Sequence, residues 1–336
     1  MATVDVETLY RSMRRIHAFE EAVRELWDEG SISGEVHLCH GEEALAAGVM
    51  AHHREGDAIS CDHRPHGQFV ARGVDLRAVL AELMGLESGL CAGRGGHMHL
   101  FSKQHLIATT GIVGAPAPLA AGFALALKRL QPGAIAFAFS GDGAANQGLF
   151  FETLNLASVW KLPLLIVCKD NGWAVTTYSR TVTAGDHVER ARAFGFEAES
   201  VDGMDPLGVS EVAGRLVAHV RAGKGPAFLH ARCTRLDGHF LGDQMVRTVR
   251  DPKANPDAGR TVVENLTARR GGRWTDRVRG LFRTGQAMLR LRGGLGKKND
   301  PMRRPFALSD EARRRIDAEV EAEISAAVDA VSQEAA

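Results

Sequence analysis

Asp142 and Asn171 are the two side chains whose placement first suggests chemistry. Asp142 lies in Gly141-Asp142-Gly143, just past the apolar run Ala134–Phe139, and Asn171 lies in Asp170-Asn171-Gly172, just past the run Leu164–Lys169. Both runs have the length of buried strands and are too short to span a membrane. Between them a helical pattern extends to Trp160, with Phe150, Phe151, Leu154, Leu156, Ala157 and Trp160 towards one side, and Pro163 ends it. Strand, helix and strand in this order predict two adjacent parallel strands joined by a right-handed crossover. Asp-Gly and Asn-Gly are also ordinary turn dipeptides. Their joint position at the carboxyl ends of neighbouring buried strands, where open α/β sheets bind ligands, favours a site over a pair of turns. Neighbouring strands lie roughly 5 Å apart, so the two side-chain oxygens can meet on one ion. One carboxylate and one amide, with no thiol or imidazole, suit a hard cation such as magnesium that keeps phosphate oxygens in its shell. Glycines beside Asp142 allow close backbone approach, and the following helix offers its N-terminus to a phosphate.

Other candidates sit after predicted strands. Asp57–Cys61 reads as a short strand followed by Asp62-His63-Arg64-Pro65-His66-Gly67; alone Arg64 is a surface charge, but after a strand end it suits a diphosphate. His239 follows the apolar strand Ala227–Arg232 in Arg235-Leu236-Asp237-Gly238-His239-Phe240-Leu241-Gly242-Asp243, a place for a group that binds phosphate or moves a proton near neutral pH. Gly111-Ile112-Val113-Gly114 precedes an alanine-rich helix, Pro118–Leu130; on composition alone it is only a helix-entry turn, though glycines there could let a flat heterocycle approach and a valine pack on its face. His37, in Glu35-Val36-His37-Leu38, is on the residues alone either a substrate-facing or a satisfied structural histidine. Gly93-Arg94-Gly95-Gly96-His97-Met98-His99 is a glycine-rich loop that composition alone would call flexible.

Gly141-Asp142-Gly143, about thirty residues of strand–helix pattern and then Asn171 resemble the thiamine diphosphate motif of the transketolase-like superfamily. The fuller string GDGAANQGLFFETLNLASVWKLPLLIVCKDNGWA is similar to the α chain of the first component of the 2-oxo acid dehydrogenases, the pyruvate, branched-chain and acetoin enzymes. The likeness extends over roughly residues 8–243. It implies an α/β fold, a mostly parallel sheet flanked by helices that binds the diphosphate of the cofactor. It implies magnesium on Asp142, Asn171 and Trp173, cofactor contacts from His63, Arg64, Gly143, Ala144, Asn171, Trp173 and His239, and the aminopyrimidine ring beside Gly111 and Val113. His37, His63 and His239 inherit catalytic roles. The histidine at 63 and the string Gly-His-Phe-Leu-Gly-Asp at 238–243 look more like the acetoin branch than the pyruvate branch. Phe240 stands where animal pyruvate and branched-chain enzymes carry a phosphorylatable serine, which excludes that modification, and His97 stands where the family has serine. By the same resemblance a separate β chain supplies a carboxylate for the pyrimidine and a hydrophobic prop, in a heterotetramer of two α and two β chains, and the acyl group passes to a lipoyl-bearing acyltransferase component. The expected activity is oxidative cleavage of acetoin or a 2-oxo acid such as pyruvate. A non-catalytic cofactor-binding scaffold is the alternative of another class, and Arg64, Asp142, Asn171 and His239 argue against it.

The chain of 336 residues has zero formal net charge, which gives no global attraction to nucleic acid or anionic membranes. Its five cysteines are scattered without a CxxC pair and read as reduced thiols. No signal pattern or long apolar stretch occurs, so a soluble, cytoplasmic protein is expected. Nine of the fourteen histidines fall between His37 and His105; a zinc site is one reading, though thiols and an HExxH pattern are missing. Residues 1–250 read as one catalytic domain with the helix Asp5–Glu29 packed on it. Residues 251–298 carry twelve Lys/Arg against four Asp/Glu and read as a basic, solvated or partner-facing insertion. Residues 299–336 read as a helical tail, begun by Ser309 and striped by Ile316, Val320, Ile324, Val328 and Val331.

Overall fold

The computed structural model describes residues 4–251, 271–304 and 306–335, and isolated positions between 260 and 268. A seven-stranded sheet runs in the order β2-β3-β1-β4-β5-β9-β8. Its strands are β1 (Ala58–Cys61), β2 (Phe101–Ser102), β3 (Ile107–Thr109), β4 (Ala136–Gly141), β5 (Leu164–Asp170), β8 (Glu197–Asp202) and β9 (Ala227–Arg232). All pairs are parallel except β2 with β3. β6 (Trp173–Ala174) and β7 (Thr177–Tyr178) form a separate small hairpin.

Side-chain alternation along the central strands assigns each face its own core. Phe137 and Phe139 of β4, with Leu165 and Val167 of β5, point to the larger core. Ala136 and Ala138, with Leu164, Ile166 and Cys168, point to the other. The small-residue face of β4 lets the alanine-rich helix α5 (Pro116–Leu130) lie close, through Ala117, Ala120 and Ala124. Helix α6 (Gly148–Val159) covers the same face, but only Phe150, Thr153, Leu154 and Ala157 are buried. Leu156 and Trp160, expected on the inward side, are 41% and 47% exposed. The helix is apolar nearly all round, so its sequence could not say which side the sheet takes.

Helices α1 (Val6–Asp28), α2 (Glu43–Met50), α3 (His66–Arg72), α4 (Leu76–Leu83) and α8 (Pro206–Arg221) build the larger core, with α7 (His187–Ala193) on the opposite face. A Cβ on Gly48 of α2 would lie 2.7 Å from Val209 of α8, so these two helices approach too closely for any side chain there. Helix α11 (Asp310–Ala335) lays Ile316, Val320, Ile324 and Val331 into this core against α1, and Tyr10 donates a 2.9 Å hydrogen bond to Asp317. Helix α9 (Gln244–Arg250) follows the main sheet, and α10 (Trp274–Gly294) buries Leu291 while most of its side chains are exposed. Part of the basic segment lies outside the described residues. Helix α3 and strands β2 and β3 were not expected; they are short and have too few residues to show a period. The five cysteines are unpaired, and no helix among the described residues is long and apolar enough to cross a membrane.

His17 joins α1 to α2, with Nδ1 2.8 Å from Glu43 and Nε2 3.5 Å from Glu21. Burial alone would lower it, but the bonds to Glu21 and Glu43 outweigh that and raise it to about 10. A histidine raised above its unfolded value of about 6.5 stabilises the fold fully below that value, and the contribution fades as pH rises towards its folded value. Equilibrium urea unfolding should therefore show stability declining from pH 7 to 10, and His17→Gln should flatten that slope; equal slopes would contradict the pairing.

Candidate active site

Loops from the carboxyl ends of five strands enclose a cavity of about 370 Å³, within the range of small-molecule sites. β1 delivers His63 and Arg64, β3 delivers Gly111 and Val113, and β4 delivers Asp142, Gly143 and Ala144. β5 delivers Asn171 and Trp173, and β9 delivers Arg235 and His239; His37 enters from the loop before α2. Every residue to which the resemblance gives a metal, cofactor or catalytic role lines this one cavity, whereas of the loop 93–99 only Met98 does.

Strands β4 and β5 pair in parallel with Gly141 opposite Lys169, so their loops leave the sheet side by side. Asp142 is 1% exposed, and the Ser179 hydroxyl donates to its carboxylate. Burial raises Asp142 to about 6, with the Ser179 bond opposing and the Asp170 carboxylate adding. Asn171 Oδ1 accepts the Trp173 N–H at 3.1 Å and keeps a second lone pair. Ser140, also lining the cavity, has a buried hydroxyl without a partner. A Cβ on Gly143 would sit 2.6 Å from that of Ala174, so only glycine fits there. Gly143 and Ala144 open a helical turn, whose first N–H groups have no partner inside it. A buried carboxylate short of donors, an amide oxygen, a free hydroxyl and bare backbone amides together fit a hard cation carrying phosphate oxygens.

Opposite this pair stand imidazoles and guanidiniums. The His37 ring lies 4.6 Å from His63 and 4.7 Å from His239, edge to face in both cases. Burial lowers His63 to about 4, with Asp62 opposing and Arg64 adding; burial, Arg64, His63 and Arg235 lower His239 to about 3. These rings are neutral at pH 7. Arg235 donates to Nδ1 of His239 at 3.2 Å. Arginine cannot accept, so neutral His239 carries its proton on Nε2 and is itself a donor. Arg64 donates to the carbonyls of Leu38 and His239, which binds the β1 loop to the β9 loop.

Beneath the cavity lies a group of charges that sequence reasoning passed over. Lys169, 1% exposed, contacts Glu42 at 2.8 Å and Asp62 at 3.0 Å, and donates to the Arg64 carbonyl at 3.1 Å. Arg64 Nε lies 3.6 Å from Glu42. Burial would lower Lys169, but Asp62 and Glu42 more than offset it and keep it charged. The available signal was a lysine closing an apolar run; its partners, far away in sequence, gave none. The glycine-rich loop 93–99 is likewise fixed rather than flexible. The Glu82 carboxylate, fully buried on α4, accepts from the N–H groups of Cys91, Gly93, Gly95 and Gly96 at 2.6–3.3 Å. Lys169→Met would leave Glu42 and Asp62 buried without their cation, and unfolding measurements should show a loss of about 3–5 kcal/mol. Adding Glu42→Gln should recover part of that loss, and strict additivity of the two changes would refute the coupling.

The chain matches the family model of the dehydrogenase E1 component over residues 11–269. It is 43% identical over 267 residues to the α subunit of acetoin:2,6-dichlorophenolindophenol oxidoreductase from Cupriavidus necator, covering 76% of this chain and 80% of that one. The Bacillus subtilis protein of that name is 40% identical over 247 residues, covering 73% and 74%. The pyruvate dehydrogenase E1 component α subunit of Zymomonas mobilis is 42% identical over 266 residues, covering 77% and 75%. The site on strand ends and these likenesses lead to one conclusion: the chain belongs to the dehydrogenase E1 component family.

Proposed function

We propose that this chain is the α subunit of a dehydrogenase that uses thiamine diphosphate and magnesium to cleave acetoin, or a 2-oxo acid, oxidatively. The observation that carries the reading is the convergence of Asp142 and Asn171, on paired strand ends, with Arg64 and His239 from two other strands. Thiamine diphosphate, when bound, supplies an electron sink at its thiazolium carbon. The protein's own work is binding, orientation and proton handling. Asp142, Asn171 and the Trp173 backbone would hold the cation; the amides of Gly143 and Ala144, with Arg64 and the Nε2–H of His239, would neutralise the diphosphate. Gly111 and Val113 would border the ring system, and His37 and His63, which line the same cavity, would serve the reacting carbon. Acetoin is favoured by His63, by the 238–243 string and by what the Cupriavidus and Bacillus relatives are named for. Pyruvate or a branched-chain 2-oxo acid is the second reading, supported by the Zymomonas relative.

The cavity's other carboxylates support a site completed by a second chain. Glu42 and Asp62 are taken up by Lys169, and Glu35 lies on an exposed loop. Ile112 and Val113 at its mouth are 68% and 60% exposed, an apolar lip that a partner would cover. On this reading a β subunit brings the pyrimidine-activating carboxylate, two α and two β chains assemble in the cytoplasm, and a lipoyl-bearing acyltransferase component receives the acyl group. Residues 1–250 are the catalytic unit, 251–298 a partner-facing basic insertion and 299–336 a helical tail; exposed Trp274, Phe282 and Leu289 on α10 support the middle assignment.

Calorimetry of the chain with its β partner, Mg²⁺ and thiamine diphosphate tests the reading. Asp142→Ala should abolish Mg²⁺-dependent binding, and the chain without its partner should not turn over substrate. Undiminished binding in Asp142→Ala would overturn the proposal. Because a proton on Asp142 competes with the cation, Mg²⁺ affinity should fall as pH drops through about 6.

A further inference from the structure

The loop 93–99 brings a fourth imidazole against the three in the cavity wall. Nε2 of His97 lies 2.7 Å from Nδ1 of His37, and the two rings stack at 5.0 Å. The backbone leading into His97 is held, because Glu82 gathers the amides of Cys91, Gly93, Gly95 and Gly96 just before it. A Cβ on Gly95 would come within 2.4 Å of the His99 carbonyl oxygen, so the loop tolerates no larger residue there. His37 is 4% exposed and pinned edge-on by His63 and His239. With Nδ1 engaged by His97, Nε2 is the His37 nitrogen left for the cavity it lines.

Ring nitrogens of His37, His63 and His239 lie within 4.8 Å of one another, a spacing that could attract a metal ion. Arg64 and Arg235 oppose a dication there, and Arg235 already occupies Nδ1 of His239. The geometry suits a proton better.

We propose that His97 is a positioning residue and proton partner for His37: it fixes that ring through Nδ1 and takes up the Nδ1 proton when Nε2 gains one from a substrate hydroxyl. In this step the substrate O–H bond breaks and Nε2–H forms on His37, while Nδ1–H of His37 breaks and Nε2–H of His97 forms. The substrate oxygen keeps the electron pair, and the positive charge comes to rest on His97. The surroundings of the two rings set that direction. Around His37 stand Arg64 and His63 from the β1 loop, His239 and Phe240 from the β9 loop, and His97 itself. A charge on His37 would meet the Arg64 guanidinium at close quarters. Near His97 lies the Glu20 carboxylate of α1, bonded to His66 and to the Cys39 amide, which favours the charged form of His97, although burial, His66, His63 and Arg64 oppose it and lower the ring to about 3. A relay thus moves the charge from a ring with no carboxylate offsetting Arg64 to one where Glu20 offsets it in part. The involvement of a substrate hydroxyl rests on the functional reading above; the bond between the rings does not.

Two measurements on the full chain with its β partner separate these. In ¹⁵N-histidine-labelled protein, with His37 assigned by its absence in His37→Gln, the wild-type ring should show one dominant tautomer, and His97→Ser should show an averaged one. In turnover assays with acetoin, His97→Ser should lower kcat on the order of a hundredfold, the lower end of what a positioned acid–base group contributes, with a shifted acid limb of the pH profile. KM and cofactor affinity should stay within about twofold, and His97→Asn, which keeps a hydrogen bond but relays no proton, should restore the tautomer but not kcat. Unchanged tautomer signals and an unchanged kcat profile in His97→Ser would overturn the proposal. A wild-type assembly that binds no thiamine diphosphate would overturn the functional reading instead, and the tautomer signals would then decide the His37–His97 bond alone.

Discussion

Lys169 carries a positive charge at the end of a central strand, and the wall of the cavity is built around neutralising it. An isolated ammonium at that depth would be prohibitively costly, so Glu42 from the start of α2 and Asp62 from the loop after β1 must both reach it. Holding those carboxylates fixes where their neighbours point. Arg64 follows Asp62 by two residues and gives its carbonyl to the same ammonium, and the loop bearing His37 leads directly into Glu42. One buried charge thus places three segments far apart in sequence. Such a network adds little net stability over an apolar filling, but loss of any member leaves a strongly unfavourable charge behind. Its value lies in positioning.

Above that network the cavity is divided electrostatically. Asp142 lies on one side, raised by burial and short of donors. On the other are Arg64, Arg235 and imidazoles that burial keeps neutral. Neutral rings among guanidiniums give direction without adding repulsion. Arg235 makes His239 a donor at Nε2, and His97 fixes which nitrogen His37 presents. Because the strands are parallel, every one of these loops leaves the sheet at the same end, and a polar site forms where the apolar core stops.

The turn motifs after apolar runs were legible in the sequence because they are local. Gly141-Asp142-Gly143 and Asp170-Asn171-Gly172 each follow a strand that announces itself by composition, and Arg64 and His239 follow two more. The run Ala134–Phe139 read only as a buried strand; which of its residues face α5 and which the larger core came from the structure. Illegible were the partners: Glu42 with Lys169, Arg235 with His239, Glu82 with the glycine-rich loop, His97 with His37. Each pairing joins separate segments or depends on a loop conformation, and no spacing rule connects them. The outward side of α6 was illegible for another reason: a helix apolar nearly all round has no preferred face until the sheet supplies one.

The sequence by itself determined the parallel α/β architecture, the two strand-end turns with their carboxylate and amide, and membership of a family that works on such a site. The architecture and the turns follow from periodicity, turn chemistry and residue type, which act over a few positions at a time, and the family from the resemblance of the whole motif string to it. Only the tertiary structure decided that the strand-end loops close on one cavity, which nitrogen each histidine offers, and which carboxylates are already committed to a lysine. Those properties depend on burial and on contacts between distant segments, and neither exists until the sheet has brought the segments together.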